Sequence, residues 1–164
     1  FANNIKNKKV DLILNKICPE IIFVCGTRII SSKIVKRFKN KIFNFHGGDL
    51  ENYRGLDSHM WAIYENKFNS IKTTLHRLKF LVDSGNVIYS NKLKIEKNTK
   101  LHELRYLNFK KASEQAIKLI NLIFKTKKIK DKKLKKLGKY YSFMPSNLKT
   151  VCLKNFNEYK KTKI

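Results

Sequence analysis

The interpretation of this sequence starts from one stretch, Phe43-Asn44-Phe45-His46-Gly47-Gly48. Its apolar and polar residues alternate as in a β-strand, where successive side chains point to opposite faces of the sheet. Asn44 and His46 therefore share one face of the predicted strand, and the two phenylalanines share the other. An amide and an imidazole thus lie side by side where the strand gives way to two glycines. They are either a functional site or two accommodated polar residues.

A β-α-β unit is predicted to lead into this strand. The apolar run over residues 21–25 has the length and continuity of a strand covered on both faces, and the strand over residues 41–46 follows after a helix. Such a crossover is right-handed and leaves its two strands parallel and close together. Because ligands of open parallel sheets bind beyond the carboxyl ends of the strands, residues 26–30 and the Asn44/His46 pair are expected on the same side of one sheet.

The remaining elements are predicted from apolar spacing and from cap residues. Helices are expected after an N-cap at Ser31 or Ser32 and over residues 9–17, 59–65, 101–124 and 148–159, and strands over residues 71–78 and 87–95. Residues 125–139 are dominated by lysine and are interpreted as a solvated loop, with a phosphate- or RNA-binding arm as the alternative. The alternation of strands and helices predicts the α/β class.

The chain is strongly basic. Its 164 residues include 37 Lys and Arg against 12 Asp and Glu, which gives a formal charge of +25. Such a charge suits a polyanionic partner, but AT-rich codons also produce abundant Lys, Asn and Ile. We favour the compositional explanation, because the lysines follow no periodic stripe and no recognisable nucleic-acid motif is present. No apolar run approaches the roughly 20 residues of a membrane span, so a cytoplasmic protein without a membrane partner is expected.

Cysteine and histidine spacing gives no metal motif, and no metal is expected. Cys18, Cys25 and Cys152 are interpreted as free thiols in a reducing compartment, and the first two are expected to be buried. The four histidines form no local ligand pattern such as HExxH.

Three polar residues together suggest acyl transfer to an amine. Asn44 offers an uncharged donor for a developing oxyanion, and His46 can accept or relay a proton near neutral pH. A carboxylate such as that of Asp83 can fix the tautomer of a histidine. The set contains no obvious covalent nucleophile, so direct attack through a tetrahedral intermediate is the natural mechanism. From spacing alone this signal is weak.

The chain resembles the folate-dependent formyltransferase family over about residues 18–95. That family includes glycinamide ribonucleotide formyltransferase, methionyl-tRNA formyltransferase, sugar N-formyltransferases and formyltetrahydrofolate deformylase. Residues 26–31, of sequence GTRIIS, resemble the family's folate-side loop. Five further motifs occur in the family's order and approximate spacing: Asn44-Phe45-His46, Tyr53-Arg54-Gly55, Trp61-Ala62-Ile63, Thr74-Leu75-His76 and Asp83-Ser84-Gly85-Asn86-Val87-Ile88.

The resemblance implies a role for each site residue. The family's catalytic Asn, His and Asp fall on Asn44, His46 and Asp83, where Asn44 would stabilise the oxyanion and the other two would manage the proton. The formyl donor would be 10-formyltetrahydrofolate. Its pterin would lie against the candidate cofactor-binding residues Arg28, Ile29, Ile30, Leu81 and Val82.

The resemblance also implies an architecture. Residues 1–95 would be the C-terminal part of a formyltransferase catalytic domain, a partial Rossmann-like open sheet, mostly parallel, with helices on its faces. Residues 96–164 would be a helical, Lys-rich extension that packs on this domain or follows it. Two departures accompany the match: residues 47–52 read GGDLEN where the family usually has Pro and Leu, and the family's opening strands are absent. The chain is therefore interpreted as N-terminally truncated.

The expected activity is transfer of a formyl group to a primary amine on a small molecule, with a nucleotide-linked amino sugar favoured as the acceptor. Methionyl-tRNA formyltransferase, and hence a tRNA partner, is a less favoured alternative, and formyltetrahydrofolate hydrolysis is another. A basic polyanion-binding module and an inactive remnant are the alternatives outside this chemistry. Oligomerisation is left open.

Overall fold

The computed structural model describes residues 8–126 and 128–162. Its helices and strands follow in the order α1 (Lys8–Ile17), β1 (Ile22–Cys25), α2 (Ser32–Arg37), β2 (Ile42–His46), β3 (Tyr53–Gly55), α3 (Ser58–Tyr64), a 3-10 helix (Phe68–Ser70), β4 (Lys72–Arg77), β5 (Val87–Lys92), α4 (Glu103–Thr126), β6 (Lys139–Tyr141) and α5 (Ser146–Lys161). The α/β class is confirmed. None of the helices in these two ranges has the length and apolar character that crossing a membrane requires.

The predicted β-α-β unit is present. Strands β1 and β2 are parallel neighbours, with Val24 opposite Asn44. Helix α2 connects them, and its N-cap Ser31 accepts a hydrogen bond at 3.4 Å from the backbone N–H of Ile34. The residues after β1 and the end of β2 therefore lie at the same edge of the sheet.

The prediction that the sheet is mostly parallel was wrong. The order in the four-stranded sheet is β1-β2-β4-β5, and both β2–β4 and β4–β5 are antiparallel. The connection over residues 78–86 explains the second pairing, because it carries no helix, whereas a parallel pair needs a crossover of a dozen or more residues. The antiparallel return of β4 brings the loop after it back towards β2.

Helices cover both faces of the sheet, as expected. On one face, Val24 and Ile42 pack with the buried side chains of α2 and with the apolar side of α1. On the other, Phe43 and Leu75 pack against Leu119 of α4. Ile42 of β2 therefore packs in one core, whereas Phe43 and Phe45 pack in the other, as the alternation along the strand predicts.

A second small sheet was not anticipated. Strand β6 lies at the end of the lysine-rich stretch and pairs in parallel with β3, so that Gly55 lies opposite Tyr141. The Lys-rich stretch is tied to the domain before β6 as well, because the backbone N–H of Lys135 donates to Oε1 of Glu51 at 2.9 Å. Residues 128–137 are mostly exposed and form no named helix or strand, as predicted for a solvated loop, whereas the prediction was wrong for the end of α4 at Thr126, the buried Gly138 and the start of β6 at Lys139.

Glu65 joins the two strands of this small sheet. Its carboxylate accepts hydrogen bonds from the hydroxyl groups of Tyr53, at 2.8 Å, and Tyr141, at 2.7 Å. Burial, together with the contact to Glu65, raises the pKa of Tyr141 to about 12 and also raises the pKa of Tyr53. Both phenols therefore remain protonated hydrogen-bond donors at neutral pH.

The three cysteines are free thiols. Cys152 is buried and Cys25 is half-buried, but Cys18 is exposed, so the expected burial of Cys18 was wrong. Cys18 follows the end of α1 with a positive φ of 44°, which turns the chain away from the core before β1 begins.

Candidate active site

The Asn44/His46 pair lies at the carboxyl end of β2, on the face opposite Phe43. Asn44 is half-buried and His46 is buried. Because β4 runs antiparallel to β2, Asn44 lies opposite His76 and His46 lies opposite Thr74. The Asn and the His thus face polar partners on β4.

Asp83 reaches this pair from the loop after β4. Its Oδ1 accepts a hydrogen bond from Nδ2 of Asn44 at 3.1 Å, and its Oδ2 lies 3.2 Å from Nδ1 of His46. Asp83 has a φ of 49°, a left-handed conformation that is uncommon outside glycine and that clusters at functional sites. The three residues singled out from the sequence therefore meet around one carboxylate, although they come from separate parts of the chain.

Two further groups share the Asp83 carboxylate. The backbone N–H of Gly55 donates to Oδ2 at 2.9 Å, and Nε2 of the fully buried His76 lies 3.4 Å from Oδ1. Burial by itself would raise the pKa of Asp83, but the contacts with His46 and His76 outweigh it and hold that pKa well below its usual range. The carboxylate is therefore ionised at neutral pH.

His46 has an acceptor at each ring nitrogen. Its Nε2 lies 3.0 Å from the carbonyl oxygen of Tyr53, and its Nδ1 faces the carboxylate of Asp83. A neutral imidazole donates from only one nitrogen, so the ring satisfies both neighbours only when both nitrogens carry hydrogen. Each ring nitrogen of His46 therefore lies within hydrogen-bond reach of a protein oxygen.

The amide of Asn44 is oriented by its neighbours. Since Oδ1 of Asp83 is an acceptor, the group that faces it has to be the NH2 group, and this Nδ2 also lies 3.2 Å from Nε2 of His76. The Nδ1 of His76 donates to the carbonyl oxygen of Arg77 at 2.9 Å, which fixes the orientation of the ring beside Asn44.

Two glycines follow β2, and the second is required by close packing. A Cβ at Gly48 would lie 2.8 Å from Nε2 of His46 and 2.7 Å from Cβ of Ser58. The hydroxyl of Thr74 donates to the carbonyl oxygen of Gly48 at 2.7 Å and fixes this approach. Sequence reasoning missed Gly48 as a site residue, although the pair of glycines directly after His46 was the available signal.

His59 lies beside this loop but takes no part in the cluster around Asp83. Its Nε2 donates to the carbonyl oxygen of Lys72 at 2.7 Å. Desolvation lowers the pKa of His59 to about 4, and the neighbouring His46 contributes in the same direction. His59 is therefore neutral at pH 7 and acts as a fixed donor to the sheet.

The candidate cofactor-binding residues lie on two loops, one that follows β1 and one that carries Asp83. On the loop after β1, Arg28 and Ile29 are exposed, whereas the side chain of Ile30 is buried against the core beneath α2. On the loop that carries Asp83, Leu81 is exposed and Val82 is half-buried. Ile29 and Leu81 expose 67% and 53% of their surface, which leaves apolar side chains uncovered on both loops.

Arg54 has a structural position that the sequence did not reveal. Its side chain is buried, with Nε donating to the carbonyl oxygen of Gly138 at 2.6 Å and Nη1 to that of Val82 at 2.8 Å. These contacts tie Arg54 to backbone.

The described residues contain no group of three or more His, Cys, Asp or Glu side chains arranged to hold a metal ion. In the Asp83 site, the single carboxylate already accepts hydrogen bonds from Asn44 and Gly55.

Comparison with known proteins assigns the chain to a family. The family model for formyl transferase matches residues 2–120. A bifunctional polymyxin resistance protein, ArnA, of Wigglesworthia glossinidia brevipalpis is 35% identical over 97 residues, which are 58% of this chain and 15% of that protein. A methionyl-tRNA formyltransferase of Clostridium tetani is 32% identical over 109 residues, which are 66% of this chain and 35% of the relative.

Solved structures give the same fold. The formyltransferase PseJ from Anoxybacillus kamchatkensis, in complex with UDP-4,6-dideoxy-4-formamido-L-AltNAc and tetrahydrofolate, matches with a TM-score of 0.66 and 25% identity, covering 76% of this chain and 65% of that one. A 4-N formyltransferase from Francisella tularensis matches in fold with a TM-score of 0.70 at 19% identity, covering 93% of this chain and 66% of that one. The chain thus spans less than two thirds of the length of these relatives. By its sequence match over residues 2–120, this chain belongs to the formyl transferase family.

Proposed function

We propose that this protein transfers a formyl group from 10-formyltetrahydrofolate to a primary amine, and that the amine is carried by a nucleotide-linked amino sugar. One observation carries the proposal: Asn44, His46 and Asp83 meet at the carboxyl end of β2, with Asp83 bonded to the other two. Family membership and the bound tetrahydrofolate of PseJ support the donor, and the nucleotide sugar of PseJ supports the acceptor.

The donor fits the two loops beside the cluster. The backbone N–H groups of residues 28–30 have no hydrogen-bond partner among the described residues, so they are free to bind the polar edge of a pterin. The exposed side chains of Ile29 and Leu81 offer apolar surface for its faces. When bound, 10-formyltetrahydrofolate supplies the formyl group and a nitrogen leaving group.

His46 is assigned the role of acid. Attack by the amine forms a carbon–nitrogen bond, breaks the bond between the formyl carbon and the donor nitrogen, and requires the leaving nitrogen to gain a proton while the amine loses one. When both of its nitrogens carry hydrogen, the His46 ring can give a proton or a hydrogen bond, and the ionised Asp83 balances its charge. Asp83 also keeps the ring in place for the proton to return.

Asn44 is assigned the oxyanion. Its Nδ2 donates one hydrogen to Oδ1 of Asp83 at 3.1 Å, and Nε2 of His76 lies on the same side of this nitrogen, 3.2 Å away. The other amide hydrogen points away from the Asp83 carboxylate and is the proposed donor to the developing oxyanion on the formyl oxygen.

A methionyl-tRNA formyltransferase is the second candidate. The observation in its favour is that relatives with this name are 30% and 32% identical to the chain over 102 and 109 residues. The net charge of +25 would suit a tRNA partner, although composition alone can account for it. The two candidates share their donor and the proposed site and differ in the acceptor.

The arrangement of the chain around the site is also proposed. Residues 1–95 would supply the sheet and the site as the C-terminal part of a catalytic domain, and residues 96–164 a helical extension that packs on it. The packing of Leu119 against Phe43 and Leu75 supports an extension that is held to the sheet. Cytoplasmic residence is proposed on the same footing, and the three free thiols support it.

The decisive experiment is a formyl-transfer assay with 10-formyltetrahydrofolate and a panel of acceptors: nucleotide-linked amino sugars, glycinamide ribonucleotide, methionyl-tRNA and water. Product is measured by mass spectrometry for the wild type and for His46→Asn and Asp83→Asn, with His102→Asn at an exposed position as the matched control. We expect formylated amino sugar, a rate loss of about 100-fold or more in the two site variants, and no loss in the control.

Other outcomes of this assay are equally informative. Formylation of methionyl-tRNA alone would replace the first candidate with the second, and formate release without an amine would indicate hydrolysis. No transfer to any acceptor, or a His46→Asn variant as active as the wild type, would contradict the proposed chemistry.

A further inference from the structure

The loop that carries Asp83 has to be held in place from outside. Asp83 is in a left-handed conformation, and Ser84 bonds only locally, to the carbonyl oxygen of Leu81 at 2.7 Å. The Asp83 carboxylate contacts Asn44 and His46 at distances near 3 Å, so a small movement of the Asp83 backbone would break these contacts. The end of this loop is held by a hydrogen bond from the backbone N–H of Arg77 to the carbonyl oxygen of Asn86, and directly before Asp83 the carbonyl oxygen of Val82 accepts a hydrogen bond from Nη1 of Arg54.

Arg54 is itself fixed by the C-terminal part of the chain. Its Nε donates to the carbonyl oxygen of Gly138 at 2.6 Å. Gly138 is packed against the segment before β3, because its N–H donates to the carbonyl oxygen of Leu50 and a Cβ at this position would lie 2.6 Å from that same oxygen. Strand β6 begins at the next residue and pairs with β3.

One buried guanidinium thus joins three segments: β3, the loop that carries Asp83, and the turn before β6. Its side chain is only 8% exposed, and both of its bonds go to backbone carbonyl oxygens. A guanidinium presents donors in a rigid fork, whereas an ammonium is a single point with no second arm. Lysine at this position could reach one of the two carbonyl groups and not bridge them.

We propose that Arg54 is a positioning residue that sets the Asp83 carboxylate against Asn44 and His46, and that Gly138 and β6 are the anchor from which it does so. The expected effect on formyl transfer rests on the proposed function. The positioning of Asp83 by Arg54 rests on the contacts alone. The Lys-rich stretch and β6 then become part of the machinery of the site, although they lie beyond residue 120, where the family match ends.

The backbone N–H of Gly55 reports the position of Asp83 directly, because it donates to Oδ2 of that residue. Its hydrogen exchange is measured by NMR in the wild type, in Arg54→Lys and in Arg54→Met. Arg105→Lys is the matched control at an exposed arginine on α4. We expect exchange at Gly55 to accelerate about 10-fold or more in both Arg54 variants, with exchange in α4 unchanged in all three variants.

Formyl transfer is measured on the same samples. We expect kcat to fall by about 100-fold in Arg54→Met, with a smaller fall in Arg54→Lys and none in Arg105→Lys. Unchanged exchange at Gly55 and unchanged kcat in a folded Arg54→Lys would overturn the inference. If the wild type transfers no formyl group while exchange at Gly55 responds as expected, the proposed function fails and the positioning role stands.

A measurement on the wild type alone decides the matter if neither Arg54 variant folds. The amides of Gly55 and Lys139 should then exchange at similar rates, because the inferred anchor makes them open as one unit. Exchange at Gly55 that is about 100-fold faster than at Lys139 would mean that Asp83 is not held from β6, and would overturn the inference.

Discussion

Asn44 on β2 and His76 on β4 lie opposite each other in the sheet, with Nδ2 of the amide 3.2 Å from Nε2 of the ring. His76 can orient the amide of Asn44, because its ring is fully buried and is fixed at its other nitrogen by the carbonyl oxygen of Arg77. The amide that is assigned to the oxyanion is therefore oriented from within the sheet.

Replacing His76 with glutamine should disturb this orientation. The variant loses the ring that lies against Asn44 and leaves the carbonyl oxygen of Arg77 with a poorer donor, so we expect the free energy of unfolding to fall by about 1–3 kcal/mol. We also expect kcat to fall by up to about 100-fold with a smaller change in KM. Denaturant unfolding and steady-state kinetics measure the two effects. His102→Gln, at an exposed position, should leave both unchanged.

The stability of the protein should depend on pH through Asp83. The pKa of this carboxyl group is lower in the folded state than its ordinary value of about 3.9, so ionisation favours folding. Its contribution is fully present above about pH 4 and is lost as the pH falls towards the lower folded-state pKa. In Asp83→Asn the decline between about pH 4 and pH 2 should be shallower than in the wild type, as measured by urea unfolding at each pH. Parallel curves for the two proteins would contradict this.

Adding a methyl group at Gly48 should damage the site through packing. The new Cβ would lie 2.7 Å from Cβ of Ser58 and 2.8 Å from Nε2 of His46, and neither neighbour is at the end of a long flexible chain. We expect Gly48→Ala to cost about 1–3 kcal/mol of stability and to reduce formyl transfer, because the His46 ring has to shift. Gly47→Ala is the control, since its nearest contact is 3.3 Å. It should show a clearly smaller effect in thermal unfolding.

Helix α4 should unfold together with the sheet. Leu119 is fully buried against Phe43 and Leu75, so Leu119→Ala should lower the free energy of unfolding by about 2–5 kcal/mol. Ile117→Ala, at a position that is 60% exposed, should cost far less. Circular dichroism and intrinsic fluorescence should report one transition in each variant. Two separate transitions would mean that the extension after residue 95 is not integral to the domain.

Local patterns predicted the elements and the faces of the central strands well. The alternation along β2 correctly separated Asn44 and His46 from Phe43, because each face of that strand meets a different core. The β-α-β unit was also predicted, since an apolar run, a helix cap at Ser31 and a second strand are local signals. These features depend on neighbours within a few residues along the chain.

What the sequence did not reveal depends on contacts between distant residues. The pairing of β3 with β6 could not be predicted, because β6 has only three residues, beside a run of lysines, and is too short to show an alternating pattern. The direction of β4 depends on the path of the long connection from β2, which carries β3 and α3, and the spacing of apolar residues does not carry that information. The bonds of Arg54 to Val82 and Gly138 are invisible for the same reason, because a charged residue after a strand is most often at the surface.

The two tyrosines that meet at Glu65 provide a built-in optical probe. Because the pKa of Tyr141 is raised to about 12 and that of Tyr53 is raised as well, neither phenol ionises at a pH where exposed tyrosines have already become tyrosinate. In alkali, the increase in ultraviolet absorbance that accompanies ionisation of these two tyrosines should therefore occur only when β3 and β6 separate. The junction that holds the C-terminal part of the chain to the site can thus be followed in the unlabelled protein, by absorbance alone.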